Sequence, residues 1–444
     1  MSVVSTPVYR PHNQVRKLSL PLFAGAALIA AICTPALAAS LCVAPGGTGG
    51  CYATISAAVA AAKPGSTIKV WPGTYKEDVV IGKSLSLIGT GSANTIINAT
   101  GLNNAVYVDG LGNPGLSNVV VSGFTLENAN FEGVLVTNAS DITIRNNYVA
   151  HNNNNLVVES GTCPGIPDFE TSEGMDCGEG IHIMGVSYST IANNVSTDNS
   201  GGILISDDTG ETHDNLITGN YVKDNGYACG ITSASHGPYG LAPNAVHYGI
   251  VHDTIANNTS IHNGAAIPGA GAGVGIFSNG SGPGTVSGNT VIGNTLQNNG
   301  LPGVAFHTHV GPNFHLPADN LSDNLIIGNL ISGNAADLGD VATPGPTGIN
   351  VNSGGGGSPI TGTVIFGNTI RNEDVDVVTN TPAEVNVHFN NLLGGEVGIA
   401  NIGPGTVNGI KNYWGCFAGP GGKNCSSVSG SGITYRPVLI IPFL

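Results

Sequence analysis

The chain has 444 residues, of which 28 are acidic and 13 basic, for a formal charge of −15. That balance argues against nucleic acid, because counterion release needs clustered cations, and an anionic polymer would be repelled unless a bound cation intervened. Charged residues are only 9% of the chain, but 41% hydrophobic content with regularly placed Val and Ile excludes disorder.

Residues 1–38 read as an export leader. Arg10, Arg16 and Lys17 precede the apolar run LSLPLFAGAALIAAIC, and Ala36-Leu37-Ala38 offers the small residues that a signal peptidase needs. No other apolar run approaches the roughly 20 residues of a membrane span. The expectation is a secreted, periplasmic or cell-surface protein with no membrane span after cleavage. Seven cysteines remain beyond the leader, a usage suited to an oxidising compartment. Cys42 and Cys51, Cys163 and Cys177, and Cys416 and Cys425 are close sequence neighbours, each pair expected to staple a loop or a terminus. Cys229 is left over and reads as a small buried apolar side chain.

Residues 39–66 form the expected N-terminal cap, with an amphipathic helix at about 53–62. Such a helix can cover the end of a solenoid, which would otherwise expose open strand edges. From 67 to 410 the sequence repeats. The segments ITIRNN, STIANN, NLITGN, DTIANN, TVIGN, LIIGN and TVIFGN close on Asn147, Asn194, Asn220, Asn258, Asn294, Asn329 and Asn368. Five residues after the first six stand Asn152, Asn199, Asn225, Asn263, Asn299 and Asn334. Each segment is a short β-branched run of period two that ends in residues tolerant of a left-handed bend.

A coil of about 22–26 residues, lengthened by surface loops, fits the scatter in spacing, whereas a propeller blade needs about 40. Asparagines in register would stack amide on amide and satisfy backbone groups at the bend. Short parallel strands around an Ile and Val core specify an all-β fold, a single-stranded right-handed parallel β-helix. Residues 39–444 are then one domain, with 411–444 as its C-terminal closure.

The stretch IKVWPGTYKEDVVI with LSLIG (68–89), and NYWGCFAGPGG (412–422) with ITYRPVL (433–439), carry a family likeness. They resemble the first coil and the closure of bacterial exported members of the pectin-lyase-like right-handed β-helix superfamily. The resemblance covers the chain beyond the leader and implies the fold. That superfamily holds lyases, hydrolases, epimerases and proteins without known catalysis, so the reaction stays open.

Each coil also has a strand before its asparagine segment: GIHIMG from 180, GILISDD from 202, GITSASH from 230, GIFSNG from 275, AFHTHVG from 305 and GINVNS from 348. Ile181, Ile203, Ile231, Ile276, Phe306 and Ile349 are expected inside. Alternation then sends His182, Leu204, Thr232, Phe277, His307 and Asn350 outward in one row. Met184, Ser206, Ala234, Asn279, His309 and Asn352 form the next, with Asp208 and His236 beyond. Long loops at 163–180, 237–252 and 310–323 crowd the same face, the usual place for binding on a solenoid. The reading is a groove for an extended glycan, with Phe277 as a stacking platform and Tyr239 and Tyr248 added from a loop. His182, Thr232, Asn279 and Asn350 are further substrate-binding candidates.

Adjacent coils are about 4.8 Å apart, so His182 and His307, four coils apart, stand about 19 Å from each other and cannot share a metal ion. His307 and His309, about 7 Å apart along the strand, could share one with His315, but read better as groove residues. His151 and His262 occupy the bend position filled by Asp198 and Asp224 elsewhere. Hydrolases of the superfamily carry an Asp-Asp pair on one coil and a Gly-His-Gly on the next, and SDDTG (206–210) with SHG (235–237) resembles those motifs. The companion Asn-Thr-Asp and Arg-Ile-Lys segments are absent, alternation points Asp207 and Asp208 opposite ways, and an Asp pair capping the turn is the structural alternative. Lyases of the fold use Arg or Lys as base, often with calcium. Arg145, Lys223 and Arg371 fall outside the outward row, which leaves a His base such as His236 or His307. The acidic loop with Asp168, Glu170, Glu173, Asp176 and Glu179 could bind Ca2+ through oxygen ligands or be merely solvated.

The function expected is binding and processing of a polysaccharide, of lyase, glycosidase or epimerase type, with Asp208, His236, His307 and His309 as catalytic candidates. The alternatives are a non-catalytic surface or periplasmic carbohydrate-binding or adhesion protein, and a periplasmic metal-handling protein.

Overall fold

The computed structural model describes residues 40–153, 178–236, 248–279, 285–308, 321–339, 342–353, 359–393 and 395–444. Successive turns of the chain lay short strands on three parallel sheets, the right-handed parallel β-helix expected. Among the described residues, sheet I has 12 strands, from Val79–Ile81 to Ser427–Gly430; sheet II has 14, from Ser40–Val43 to Ile433–Thr434; sheet III has 11, from Gly73–Tyr75 to Asn391–Leu392. One coil shows the order: Glu179–Met184 on sheet I, Thr190–Ala192 on sheet II and Val195–Thr197 on sheet III. A three-stranded strip of Thr212–His213, Ile250–Val251 and Val286–Ser287 follows sheet I on three coils. Among the described residues, no helix is long and apolar enough to cross a membrane.

Alternation decides the core. Ile181, Ile203, Ile231, Val274, Val304, Ile349 and Val377 lie in register on neighbouring strands of sheet I and are fully buried. The sequence reading put Ile276 and Phe306 in this column. Both are in the core, but two residues further along their strands. The choice of glycine explains the slip. At Gly180, Gly202, Gly230, Gly273 and Gly303 an added Cβ would lie 2.6–3.1 Å from the amide nitrogen of Asn199, Asn225, Asn263, Asn299 or Asn334. The glycine that fixes register is therefore the one lying over a stacked asparagine, and Gly275 is not such a glycine.

The stacked amides form columns along the bends. Asn194 donates its backbone N–H and its Nδ2 to Asn220 Oδ1, both at 3.0 Å, and Nδ2 also to Ile144 O at 2.9 Å. This column runs from Asn147 to Asn368 as expected and continues through Asn390 and Asn412. The second runs from Asn152 to Asn334 and ends on Glu373. A third, unread in the sequence, lies five residues before the first and holds Ser189, Asn215, Asp253, Asn289 and Asn324. The residue before a rung takes the left-handed conformation that Asn and Asp tolerate best: Asn193 has φ 54° and Asp198 57°. His151 and His262, at φ 57° and 58°, are exposed bend residues of the same kind. A buried polar group left unpaired costs about 1–3 kcal/mol, so a one-coil error in stacking would be penalised at every bend.

Two rungs are acids. Burial pushes the Asp253 carboxyl up to about 7, against the lowering effect of hydrogen bonds from Asn215. Burial likewise pushes Glu373 to about 7, opposed by the bonds from Asn334.

Both ends are closed. The helix is Ile55–Ala61, shorter than the 53–62 expected, because Thr54 caps it by accepting from Ala57 N at 3.2 Å. The Glu77 carboxylate accepts from Ile55 N and Ser56 N at 2.7 and 2.8 Å, and Ile55, Ala58 and Val59 are buried. Cys42–Cys51 and Cys416–Cys425 are disulfides; Cys163 and Cys177 lie outside the described residues. Cys229 is buried, and its Sγ accepts from Ala272 N at 3.1 Å. At the far end Trp414 is fully buried in the main core.

Candidate functional site

The outer side of sheet I brings the titratable side chains of Glu132, Glu179 and His182 together. In true register, one outward row reads Tyr107, Leu135, His182, Leu204, Thr232, Gly275, Ala305 and Asn350. The next reads Asp109, Thr137, Met184, Ser206, Ala234, Phe277, His307 and Asn352. Phe277 and His307 thus belong beside Ser206 and Asn352, not beside His182, which corrects the rows expected from the sequence. A second correction concerns access. His182 is 2% exposed, Phe277 4%, His307 1% and Asn350 0%, so these positions do not line an open groove.

The first half of this face is polar. Glu132 stands just before the strand Val134–Thr137, Glu179 opens the strand of the next coil, and His182 follows three residues later. His182 Nδ1 lies 3.4 Å from Glu132 Oε1 and 3.9 Å from Glu179 Oε2, with side-chain exposures of 2, 1 and 6%. Glu132 Oε2 accepts the backbone N–H of Glu179 at 2.7 Å, which holds the two carboxylates together. His182 Nε2 lies 2.9 Å from Ser206 Oγ on the following coil. Among the described residues this is the one group of three His, Cys, Asp or Glu side chains whose ligand atoms all lie within 4.8 Å of one another. Such a group can take or give a proton at the imidazole, or hold a cation.

The sequence reading missed Glu132 and assigned Glu179 to a loop. A signal was present: FEG (131–133) and GEG (178–180) put an acid before the register-setting glycine on neighbouring coils. Later coils have Gly201, Cys229, Ala272 and Pro302 there instead.

The second half is apolar. Leu204, Cys229, Ala234, Ala272, Phe277, Leu301 and Ala305 form a small cluster separate from the main core. The Phe277 ring leans back over Gly275, where an added Cβ would meet it at 2.3 Å, and its centroid is 4.4 Å from that of His307. Phe277 is thus packing material rather than an open stacking platform. Both amide atoms of Asn350 are buried without a hydrogen-bond partner.

Asp207 and Asp208 part as alternation requires. Asp207 is buried and accepts from Ser235 Oγ at 2.8 Å and Gly249 N at 2.7 Å, a structural role at the strand end. Asp208 is half-buried beyond the end of Gly201–Ser206. His236 ends its strand opposite Asn279, so His236 and His307 share sheet I, two coils apart and in neighbouring rows. Thr232 is half-buried and Tyr248 is 44% exposed. His309, Tyr239, Asp168, Glu170, Glu173 and Asp176 lie outside the described residues, whereas Glu179, the last acid of the expected Ca2+ loop, is buried at the start of a strand. A hollow of about 720 Å³ lies elsewhere, against the N-terminal cap between Lys69, Trp71 and the Cys42–Cys51 staple. It holds no acid and no His.

A family model described as right handed beta helix region matches residues 86–315. The chain is similar in fold to the catalytic domain of a GH87 alpha-1,3-glucanase in complex with tetrasaccharides, at 14% identity over 90% of this chain and 68% of that one, with a TM-score of 0.58. It is also similar to a DFA-IIIase from Arthrobacter chlorophenolicus A6 in complex with GF2, at 14% identity over 85% and 90% of the two chains, with a TM-score of 0.53. The A-module of the mannuronan C-5 epimerase AlgE4 from Azotobacter vinelandii matches at 17% identity over 88% and 94%, with a TM-score of 0.46. No curated protein sequence matches the chain.

Proposed function

The chain belongs to the right-handed β-helix family, and on that premise we propose that it binds an extended carbohydrate on the outer side of sheet I and acts on it through Glu132, Glu179 and His182. One observation carries the reading: two carboxylates and an imidazole from successive coils converge within 4.8 Å, almost sealed from water. In that setting the carboxylates act on the imidazole with little solvent screening, so the ring is held ready for general acid–base chemistry on a sugar. Half-buried Asp208 and Thr232, one and two coils further on, are the proposed sugar contacts, and His236 and His307 extend the same face. The solved glucanase and DFA-IIIase structures with saccharides bound support a carbohydrate as ligand class for this fold.

The test is a panel of neutral and acidic polysaccharides, read for reducing ends, unsaturated products and epimer ratio. Wild type is compared with His182→Gln, Glu179→Gln, His236→Ala and His307→Ala. A turnover that falls at least about 100-fold in the His182 and Glu179 variants is expected; wild-type turnover in both would remove the proposed centre. The near-complete burial of His182 and His307 favours a second reading, a glycan-binding protein without catalysis. It expects saturable binding and no new product from any polysaccharide of the panel.

A further inference from the structure

We propose that Glu132, Glu179 and His182 form a binding site for a divalent first-row transition-metal ion. The inference shares residues with the carbohydrate site but does not rest on it, because ion binding is read directly.

Three features of the geometry lead there. The first is spacing. Here Nδ1 stands 3.4 Å from Glu132 Oε1 and 3.9 Å from Glu179 Oε2. Metal–ligand bonds of about 2.0–2.2 Å hold neighbouring donors about 3–4 Å apart, which matches these separations. The second is orientation. Ser206 Oγ lies 2.9 Å from Nε2. A ring that donates Nε2–H to that oxygen turns the Nδ1 lone pair toward both carboxylates, the outer-shell arrangement that fixes a ligating His. The bond from Glu179 N to Glu132 Oε2 at 2.7 Å likewise fixes one carboxylate and leaves Oε1 facing the ring. The third is charge. Two carboxylates and a neutral imidazole sum to −2, which a divalent ion neutralises.

The donor set also selects. Calcium takes six to eight oxygen ligands, whereas one imidazole nitrogen with two carboxylates suits Zn2+, Mn2+, Fe2+ or Co2+.

The experiment uses the full chain, stripped with EDTA, dialysed, and titrated separately with Zn2+, Mn2+ and Ca2+, with metal content measured after gel filtration. One equivalent of Zn2+ or Mn2+ per chain is expected, together with a rise in Tm on loading. His182→Gln should abolish uptake, and Ser206→Ala should weaken it about 10–100-fold. His262→Gln, on the exposed bend, should change nothing. Should His182→Gln fail to fold, Ser206→Ala decides. The proposal is overturned if wild type takes up neither Zn2+ nor Mn2+, if the folded His182 variant or Ser206→Ala binds as tightly as wild type, or if Ca2+ binds as tightly as Zn2+.

Discussion

Buried carboxylates occur in two settings in this molecule. Asp253 and Glu373 stand in the bend columns where an amide stands on other coils. Asp253 Oδ1 accepts from Asn215 N and Nδ2 at 2.7 and 3.0 Å, and Oδ2 has no partner. Glu132 and Glu179 instead converge on an imidazole. All four are nearly or fully buried, so burial does not separate them. The partner does. An acid hydrogen-bonded to amide donors is part of the framework, whereas acids packed directly against an imidazole can exchange a proton or share a cation.

The contrast can be broken most sharply at the two histidine and aspartate positions. His182→Gln should lower glycan turnover by about 100-fold or more, while Asp253→Asn leaves it at the wild-type rate; equal effects from both would erase the distinction. Removing a rung comes next. Asn258 gives Nδ2 to Ile217 O and Asn294 Oδ1 and accepts from Asn220. Asn258→Ala should therefore lose about 2–5 kcal/mol in urea unfolding, because two buried backbone groups, Ile217 O and Asn220 N, and the side-chain amides of Asn220 and Asn294 each lose a partner.

The framework acids predict a pH dependence of stability. Asp253 and Glu373 titrate near 7 in the fold and near 4 when unfolded. Between those values the folded chain holds the extra protons, so their contribution is complete below about pH 4 and is lost as pH rises to about 7 and beyond. Asp253→Asn should raise Tm at pH 8 by a few degrees, with the gain shrinking toward pH 4. An unchanged pH profile would show that Asp253 is not protonated in the fold. Gly275→Ala, which drives a Cβ into the Phe277 ring, should cost about 1–3 kcal/mol. His262→Gln, whose 2.8 Å contact to Asp224 is at the surface, should leave the midpoint where it is.

The sequence made the fold legible because asparagines five residues apart betray two of the three bend columns. The same offset read backwards, from Asn220 to Asn215 or Asn294 to Asn289, would have exposed the third, but Ser189 and Asp253 interrupt it. Inside and outside were also legible, since an error of two residues preserves alternation; that is why Phe306 was placed inward although its row was wrong. The site was harder to read. Gly-Ile pairs suggest one alignment of the strands, while the register follows the glycine packed against a stacked amide. That shift of two moves His307 into the wrong row, and the Glu-Gly recurrence escapes because the strand after Glu132 opens on Gly133-Val134 rather than on Gly-Ile. Burial of the outward rows was unreadable, because alternation predicts direction and not what later lies above it.

Successive rungs of the first column are 22 residues apart at Asn368 and Asn390 and 47 apart at Asn147 and Asn194, yet the bonds joining them are 2.9 and 3.1 Å. Segment length is absorbed entirely between rungs. Evolution can therefore graft, trim or exchange a surface excursion on any single coil without disturbing its neighbours, and recognition can drift while the spine stays constant.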